Sequence, residues 1–264
     1  MVHEERRLDG DEVFYRVWRA DAPRAVVVIS HGYAEHSGRY AHVAERLSAA
    51  GFDVYAPDHC GHGESAGERG DIVSWQRVVA DLDSVVDVVV EERPELPVFL
   101  VGHSLGGAIA VAYALEHQDR LTGLALSAPA LEVAPELLAL AGRPEIPALP
   151  LADGVSSDPA VVQAYKADPL VYQGPPPRNL LLMMADAAQS LVARLPELTL
   201  PVQVMHGSAD ALIPLGALRS VVSGVSSPDL VAQVWNGLFH EIFNEPTHGA
   251  VLDALVGWLA VRAA

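Results

Sequence analysis

A serine between two glycines stands in the segment of the chain that is best suited to chemistry, 102–106 (GHSLG). An apolar run typical of a buried strand precedes it, and small residues with helical character follow it. In this strand–turn–helix context the pattern predicts a nucleophile elbow, which exposes the hydroxyl of Ser104 at the start of a helix. A serine that only caps the helix is the alternative.

A serine hydroxyl is a weak nucleophile near neutral pH, so it needs a base that is itself oriented by a carboxylate. In folds with this elbow the chain order is serine, acid and histidine, with the acid and the base each following a strand. Asp210 follows the apolar run 200–205 and His240 follows the apolar run 230–235, so we predict a triad of Ser104, Asp210 and His240. The competing candidates, which fit this order less well, are His206 and His248 for the base and Asp229, Glu241 and Glu245 for the acid.

Negative charge that develops on an attacked carbonyl oxygen needs backbone N–H donors, normally two. The N–H of Leu105 comes directly after the nucleophile, and we predict it as the first donor. We predict the N–H of Tyr33 as the second, because the turn 31–34 follows the apolar run 26–30. An ordinary strand-to-helix turn is the alternative.

Short strand patterns alternate with helical patterns along the chain, which predicts a mainly parallel sheet covered by helices on both faces. The predicted strands are 13–19, an antiparallel edge strand, and then 24–30, 52–57, 97–102, 121–127, 200–206 and 230–235. The predicted helices are 39–50, one that Ser74 caps and that continues to about Val89, 107–117, 215–222 and 248–261.

The alternation breaks between residues 128 and 198, where prolines are frequent and short apolar helical pieces occur. A structureless loop of this length is improbable inside a compact domain. We therefore predict that residues 129–198 form an inserted lid and that residues 1–128 and 199–264 form the core.

The composition excludes several classes of protein. Of 264 residues, 50% are hydrophobic, so the chain can bury a large core. The formal net charge of -17 disfavours binding to nucleic acids and to anionic lipid headgroups. Cys60 is the only cysteine, which excludes a disulfide within the chain. No apolar run reaches the length of about 18–20 residues that a membrane span needs, and no signal peptide is recognisable, so a soluble cytoplasmic protein is expected.

Five segments together point to one family. They are 31–40 (HGYAEHSGRY), 58–65 (DHCGHGES), 102–107 (GHSLGG), 206–210 (HGSAD) and 240–246 (HEIFNEP). These segments resemble those of the monoacylglycerol lipases of the α/β-hydrolase superfamily, particularly the actinobacterial members. The resemblance runs nearly end to end and is weakest in the predicted lid. One departure is Tyr33-Ala34, where the family often has a small or apolar residue followed by glycine.

The resemblance implies an α/β-hydrolase fold with a mostly parallel eight-stranded sheet, flanking helices and an inserted lid. It implies hydrolysis of a monoacylglycerol to a fatty acid and glycerol through an acyl-enzyme on Ser104, with no cofactor. Glu35 and Arg39 match polar family positions near the alcohol pocket, so they are candidate glycerol contacts, with an ion pair at a helix start as the alternative. A lysophospholipase or general carboxylesterase with the same triad is the alternative function.

The lid's apolar residues are expected to line a tunnel for the acyl chain, or else to pack only on each other. These residues are Leu137, Leu138, Leu140, Ile146, Leu149 and Leu151. Because the protein is acidic, we expect any transient membrane contact to be hydrophobic and to use the lid's leucines. The run Asp58, His59, Cys60 and His62 contains metal-ligand residue types, but the resemblance explains it as a loop at the rim of the site, and no metal is predicted.

Overall fold

Apolar runs rich in β-branched residues form the centre of one eight-stranded sheet in the computed structural model, which describes residues 3–8, 10 and 12–264. The strands are β1 (Glu4–Arg7), β2 (Phe14–Trp18), β3 (Ala25–Ser30), β4 (Phe52–Pro57), β5 (Val98–His103), β6 (Gly123–Ser127), β7 (Val202–Gly207) and β8 (Leu230–Trp235). Their spatial order is β1-β2-β4-β3-β5-β6-β7-β8. The pairs β1–β2 and β2–β4 are antiparallel and all other neighbours are parallel.

Helices fill most of the connections between the strands. They are α1 (Ala41–Ala49), α2 (Trp75–Glu92), α3 (Leu105–His117), α4 (Pro135–Leu140), α5 (Ala152–Val155), α6 (Pro159–Ala167), α7 (Arg178–Arg194), α8 (Gly216–Gly224) and α9 (His248–Arg262). The side chain of Ser74 caps α2 by accepting a hydrogen bond from the N–H of Arg77, as the sequence predicts. Within the described part of the chain, no helix is both long and apolar enough to cross a bilayer.

Alternate residues of the strands face opposite sides of the sheet, and each side has its own hydrophobic cluster. Val26 and Val28 of β3 belong to the cluster that includes residues of α2, α3, α7 and α8, whereas Val27 and Ile29 belong to the cluster that includes residues of α1 and α9. All four of these side chains are fully buried, as expected for a strand that is covered on both faces. The predicted fold class is confirmed.

The antiparallel edge of the sheet differs from the prediction. The strand predicted at 13–19 is β2, but β1 lies outside it and forms the edge. The sequence of β1 is EERR, and three of its four residues are exposed, so it lacks the apolar alternation by which strands are recognised. Its exposed charges suit an edge strand, because charge discourages pairing with another chain.

Four helices, α4 to α7, lie between β6 and β7. Residues of α5, α6 and the segment after α6 form a small cluster of their own around Tyr165. The helix α7 instead sends Leu180, Ala187 and Leu191 into the main cluster. The division into a core and a lid at residues 129–198 stays a prediction, and α7 packs with the core.

Candidate active site

Ser104 occupies the tight turn between β5 and α3, with backbone angles φ 53° and ψ -121°. A non-glycine residue with positive φ is strained, and such strain is concentrated at functional sites. The turn closes because its flanking glycines leave no room for side chains. A Cβ at Gly102 would lie 2.5 Å from the carbonyl oxygen of Gly106, and a Cβ at Gly106 would lie 2.2 Å from the carbonyl oxygen of Ser30. The sequence pattern thus forms the predicted elbow.

Asp210 and His240 follow β7 and β8, and the structure brings their side chains into direct contact. The Nδ1–H of His240 donates to Asp210 Oδ2 at 2.7 Å. Asp210 Oδ1 accepts from the backbone N–H groups of Leu212 and Ile213 at 2.8 and 3.0 Å. Burial acts to raise the pKa of Asp210, but hydrogen bonds from His206 and His240 hold it well below its usual value. Asp210 is therefore an ionised acceptor that fixes the His240 ring.

The loop that bears His240 crosses very close to the end of β7. A Cβ at Gly207 would lie 2.2 Å from the carbonyl oxygen of Phe239 and 2.3 Å from that of Leu238. The N–H of Ala209 donates to the carbonyl of Leu238 at 2.9 Å. Glycine at position 207 therefore allows the loop of the acid and the loop of the histidine to meet.

Ser104 and His240 line the same cavity of about 510 Å3. The ring of His103 also lines this cavity, and its centre lies 4.6 Å from that of the His240 ring. Nδ1 of His103 is 3.1 Å from the carbonyl oxygen of Ser127. Burial, together with the neighbouring His240, lowers the pKa of His103 to about 3. His103 is therefore uncharged at neutral pH, so it adds no positive charge beside His240.

The turn after β3 lies directly against the elbow, because a Cβ at Gly32 would come within 3.2 Å of Ser104 Cβ. Among the described residues, no acceptor binds the N–H of Tyr33 or of Leu105. The Nδ1–H of His31 donates to the carbonyl of Gly32 at 2.7 Å. Ala34 has φ 68°, in the left-handed region that glycine adopts without strain. The two predicted oxyanion donors are thus available to a ligand.

A buried ion network connects this turn with the loop of His240. Arg39 donates to Glu35 Oε2 at 2.7 Å and to both carboxylate oxygens of Glu241 at 2.6 and 2.7 Å. Glu35 Oε1 accepts from the N–H of Gly32 at 2.6 Å and from the hydroxyl of Tyr40 at 2.7 Å. Burial raises the pKa of Glu35, whereas for Glu241 the attraction of Arg39 outweighs burial and lowers the pKa.

The predicted glycerol contacts are placed differently from each other. Glu35 lines the cavity, but Arg39 does not, and its guanidinium lies over the ring of Tyr165 at 4.7 Å. Arg39 is therefore set back from the cavity wall, and its contact with glycerol stays a prediction. The alternative, an ion pair at the helix start, describes its position, because two carboxylates already occupy the guanidinium.

Most of the predicted tunnel residues line the cavity. Leu137, Leu140, Leu149 and Leu151 do so, together with Leu180, Leu181 and Met184 of α7. Leu138 and Ile146 do not line it, and a contact of theirs with the acyl chain stays a prediction. Leu138 is 37% exposed, because it lies on a different face of α4 from the pair Leu137 and Leu140, which are three residues apart. Ile146 belongs to the irregular segment between α4 and α5, outside the wall of the cavity.

The segment between β6 and β7 is bonded to both loops of the site. The N–H of Tyr172 donates to the carbonyl of Ala34 at 2.8 Å, and His36 Nε2 is 2.9 Å from Asp168 Oδ2. The N–H of Glu241 donates to the carbonyl of Val155 at 2.8 Å. Residues 155–172 therefore hold the oxyanion turn and the histidine loop in place.

The competing acid and base candidates have other partners. Asp229 pairs with Arg262, and Glu245 Oε1 accepts from the N–H of Phe239 at 2.7 Å. His248 Nδ1 bonds the carbonyl of Glu245 at 2.7 Å. His206 lies against Asp210, on the carboxylate that His240 also binds.

The run with metal-ligand residue types is bonded within the protein. Asp58 accepts from the N–H of Ser37 at 2.7 Å and from the N–H of Glu64 at 2.8 Å. His59 Nε2 is 2.9 Å from Ser30 Oγ, and His62 Nδ1 is 2.9 Å from the carbonyl oxygen of Cys60. Within the part of the chain that the structure describes, no group of three or more His, Cys, Asp or Glu could hold a metal ion.

Sequence reasoning missed three features of the site: the contact of His206 with the acid, the pairing of Glu241 with Arg39, and the bonds from residues 155–172. The first two involve residues of the segments 206–210 and 240–246, so their positions already carried a signal. The third depends on how the segment 155–172 approaches two distant loops, through two backbone hydrogen bonds and the contact of His36 with Asp168, and no residue pattern marks this approach.

Comparisons with known proteins agree with this geometry. A family model described as Hydrolase_4: Serine aminopeptidase, S33, matches residues 21–247. The monoacylglycerol lipase of Mycolicibacterium smegmatis is 42% identical over 97% of this chain and 96% of its own length. The phospholipase YtpA of Bacillus subtilis is 33% identical over 90% of this chain and 95% of its own length. The crystal structure of the monoacylglycerol lipase of Paleococcus ferrophilus has a TM-score of 0.85 at 31% identity, covering 95% and 99%.

Proposed function

The chain belongs to the α/β-hydrolase family described as serine aminopeptidase S33, and on this premise we propose that it hydrolyses monoacylglycerols with Ser104 as nucleophile. It is a carboxylic ester hydrolase. The observation that supports the assignment of the residues is the 2.7 Å hydrogen bond from His240 to Asp210, at the wall of an apolar cavity that Ser104 also lines.

In the proposed reaction, Ser104 Oγ attacks the ester carbonyl while Nε2 of His240 takes the hydroxyl proton. The N–H groups of Tyr33 and Leu105 stabilise the oxyanion. His240 then protonates the departing glycerol oxygen, which leaves an acyl group on Ser104. Water, deprotonated by His240, attacks this ester and releases the fatty acid. Asp210 stays ionised throughout and keeps the His240 ring in the tautomer that this sequence of steps needs.

The shape of the cavity supports a long acyl chain. Its apolar wall includes leucines of α4, of α7 and of the segment 149–151. Each methylene that moves from water into such a wall contributes about 0.8 kcal/mol. At the other end, the carboxylate of Glu35 is the proposed acceptor for a glycerol hydroxyl, because among the described residues Oε2 accepts from Arg39 alone and carboxylate oxygens bind two donors each.

Active-site labelling and turnover test this function together. A fluorophosphonate should add one phosphonyl group to Ser104, and Ser104→Ala should lose both the label and the turnover of long-chain monoacylglycerols. Retained turnover in Ser104→Ala would refute the assigned nucleophile. If long-chain monoacylglycerols react no faster than acetate esters in the native protein, the substrate assignment is wrong.

The similarity to the phospholipase YtpA favours a second candidate, a lysophospholipase with the same machinery. Only the alcohol differs between the two substrates, so the region around Glu35 should decide between them. A phosphate near Glu35 and Glu241 would be repelled, because two carboxylates line the cavity there whereas the one guanidinium between them, that of Arg39, does not. We therefore expect monoacyl glycerol to be preferred over the lysophospholipid with the same acyl chain, and the reverse preference would favour the second candidate.

We further propose that the surface beside the cavity touches lipid. Leu138 of α4 and Leu182 of α7 are 37% and 50% exposed, on two helices that pack together. The net charge of -17 opposes attraction to anionic headgroups, so this contact should be hydrophobic. Binding to zwitterionic vesicles that falls in a Leu138→Ser and Leu182→Ser double variant supports the proposal. Binding that increases with anionic lipid and disappears in salt contradicts it.

A further inference from the structure

His206 is a fully buried histidine that the proposed mechanism does not use. It is the last residue but one of β7 and lies four residues before Asp210. Its side chain has no exposed surface, and that of Asp210 is 1% exposed. Because it touches the acid and does not line the cavity, it cannot act as the base.

The ring of His206 binds the same carboxylate oxygen as the ring of His240. Its Nε2 lies 3.1 Å from Asp210 Oδ2, and His240 Nδ1 lies 2.7 Å from that atom. The Nε2 atom also lies 3.1 Å from the carbonyl oxygen of Ile213. Asp210 Oδ1 is already occupied by two backbone N–H groups. Three N–H groups thus donate to the carboxylate, and the Nε2–H of His206, which is shared with the carbonyl of Ile213, makes a fourth close contact with it. Among the described residues, His206 and His240 are the two side chains that contact Asp210 in this way.

The bonding identifies which nitrogen of His206 carries the proton. Both partners of Nε2 are acceptors, a carboxylate and a carbonyl, so Nε2 must be the N–H. The other nitrogen, Nδ1, is buried and has no hydrogen-bond partner among the described residues. A buried polar atom without a partner costs free energy. The histidine therefore lowers the stability of the fold at this position through its unpaired Nδ1 atom. Such a cost is expected where the Nε2–H contact serves function.

We propose that His206 is a positioning residue for the triad. Its Nε2–H holds the Oδ2 atom of Asp210 at the place where this oxygen accepts the hydrogen bond from the Nδ1–H of His240. The inference rests on the proposed roles of Ser104, Asp210 and His240. The shared oxygen also has an electrostatic consequence. A second donor on Oδ2 withdraws part of the carboxylate's negative charge, so the carboxylate stabilises the protonated form of His240 less strongly than it would alone.

Two substitutions, whose side chains are similar to each other in length, separate this role from a role in packing. His206→Gln keeps a donor, because a glutamine amide has two N–H groups that can reach both Asp210 Oδ2 and the carbonyl of Ile213. His206→Met fills a similar volume and has no donor. Each variant is titrated with a fluorophosphonate so that kcat is expressed per reactive site, which removes the effect of any unfolded fraction.

We expect kcat to fall by about 10- to 100-fold in His206→Met, because this is the size of the effect when one hydrogen bond to a charged group is lost. In His206→Gln we expect kcat to remain within about threefold of that of the native protein. The acid limb of the kcat/KM profile should move to higher pH in His206→Met, by about half a pH unit or more, and should stay in place in His206→Gln. The other titratable groups that face this pair, His103 and Glu241, are the same in all three proteins.

Equal kcat values per titrated site in the Met and Gln variants would overturn the inference, as would an acid limb that does not move in His206→Met. Either result would leave His206 with a packing role only. Failure of the proposed function looks different, because the native protein would then show no turnover and no phosphonate label on Ser104.

Discussion

Replacing Arg39 by methionine removes the cation that pairs with two carboxylates in a buried site, and the described residues supply no second cation to either. The Arg39 side chain is 10% exposed, and the side chains of Glu35 and Glu241 are 3% and 6% exposed. Methionine fills much of the volume of the arginine stem without any donor. The remaining hydrogen bonds to Glu35, from Gly32 and Tyr40, do not neutralise its charge.

The cost can be estimated from proton uptake. Two unpaired charges so close together in a dry site do not persist, so one carboxyl takes up a proton. From an ordinary glutamate pKa of about 4.3, protonation at pH 7.3 costs about 3 times 1.36 kcal/mol, or about 4 kcal/mol. This agrees with the loss of about 3–5 kcal/mol that follows when one partner of a buried ion pair is removed. The melting temperature should fall by about 10 °C.

The pH dependence distinguishes this cause from a simple loss of packing. In the variant, the folded-state pKa of one carboxyl is raised above its unfolded value. This carboxyl therefore does not destabilise the variant below the unfolded-state pKa. As the pH rises above that value, the loss of unfolding free energy in the variant grows. The difference in unfolding free energy between native protein and Arg39→Met should shrink by about 1.4 kcal/mol for each unit that the pH is lowered from 7.3 towards 5.

Urea unfolding at pH 7.3 and 5.5 measures both quantities. Arg46→Met is the matched control, because Arg46 pairs with Asp253 at the surface, where the two side chains are 44% and 66% exposed. Such exposed pairs contribute about 0–1 kcal/mol. A deficit below about 1 kcal/mol in Arg39→Met, or the same deficit at both pH values, would refute the reasoning.

Two further predictions follow from buried histidines and from a tight crossing. Burial lowers the pKa values of His59, His62 and His103 to about 3, 4 and 3. These neutral histidines therefore contribute their full stability above about pH 6.5, and this contribution is lost as the pH falls. In a series of urea titrations, the unfolding free energy should drop by about 4 kcal/mol between about pH 7.5 and pH 5.5. An unchanged unfolding free energy would contradict this prediction. Gly207→Ala should lower kcat per titrated site by about tenfold or more, because its Cβ would lie 2.2 Å from the carbonyl oxygen of Phe239. Gly249→Ala, where nothing lies within 4 Å, should retain kcat, and an equal loss in both variants would count against the explanation.

The parallel part of the fold could be predicted because its strands have continuous apolar runs. Strands such as β3 and β5 are buried along their whole length, and their apolar runs therefore mark them as inner strands of a sheet that is covered on both faces. The strand β1 could not be predicted, because exposed charged residues form it and only its pairing with β2 defines it. The exposure of Leu138 could not be predicted for a related reason, since a helix of six residues is too short to show which of its faces is buried.

The triad candidates were accessible because their chain order and their positions after strands constrain them. Side chains that act through another residue have no such constraint. Arg39 was expected to reach the substrate, and the structure instead gives it two carboxylates, one of which, Glu241, lies 202 residues away in the chain. Such a pairing depends on how closely two loops that are distant in the chain approach each other in the fold. A single sequence gives no information on that distance.

The same bonds that stabilise the protein also align the proposed catalytic groups. Arg39 joins the turn that contains Tyr33 to the loop that contains His240, and residues 155–172 bind those two loops a second time. A loop fixed at only one point could rotate about it, whereas two separate attachments define its orientation. Because oxyanion donors and base must be aligned before the substrate arrives, this double attachment supplies in the free protein the order that catalysis requires.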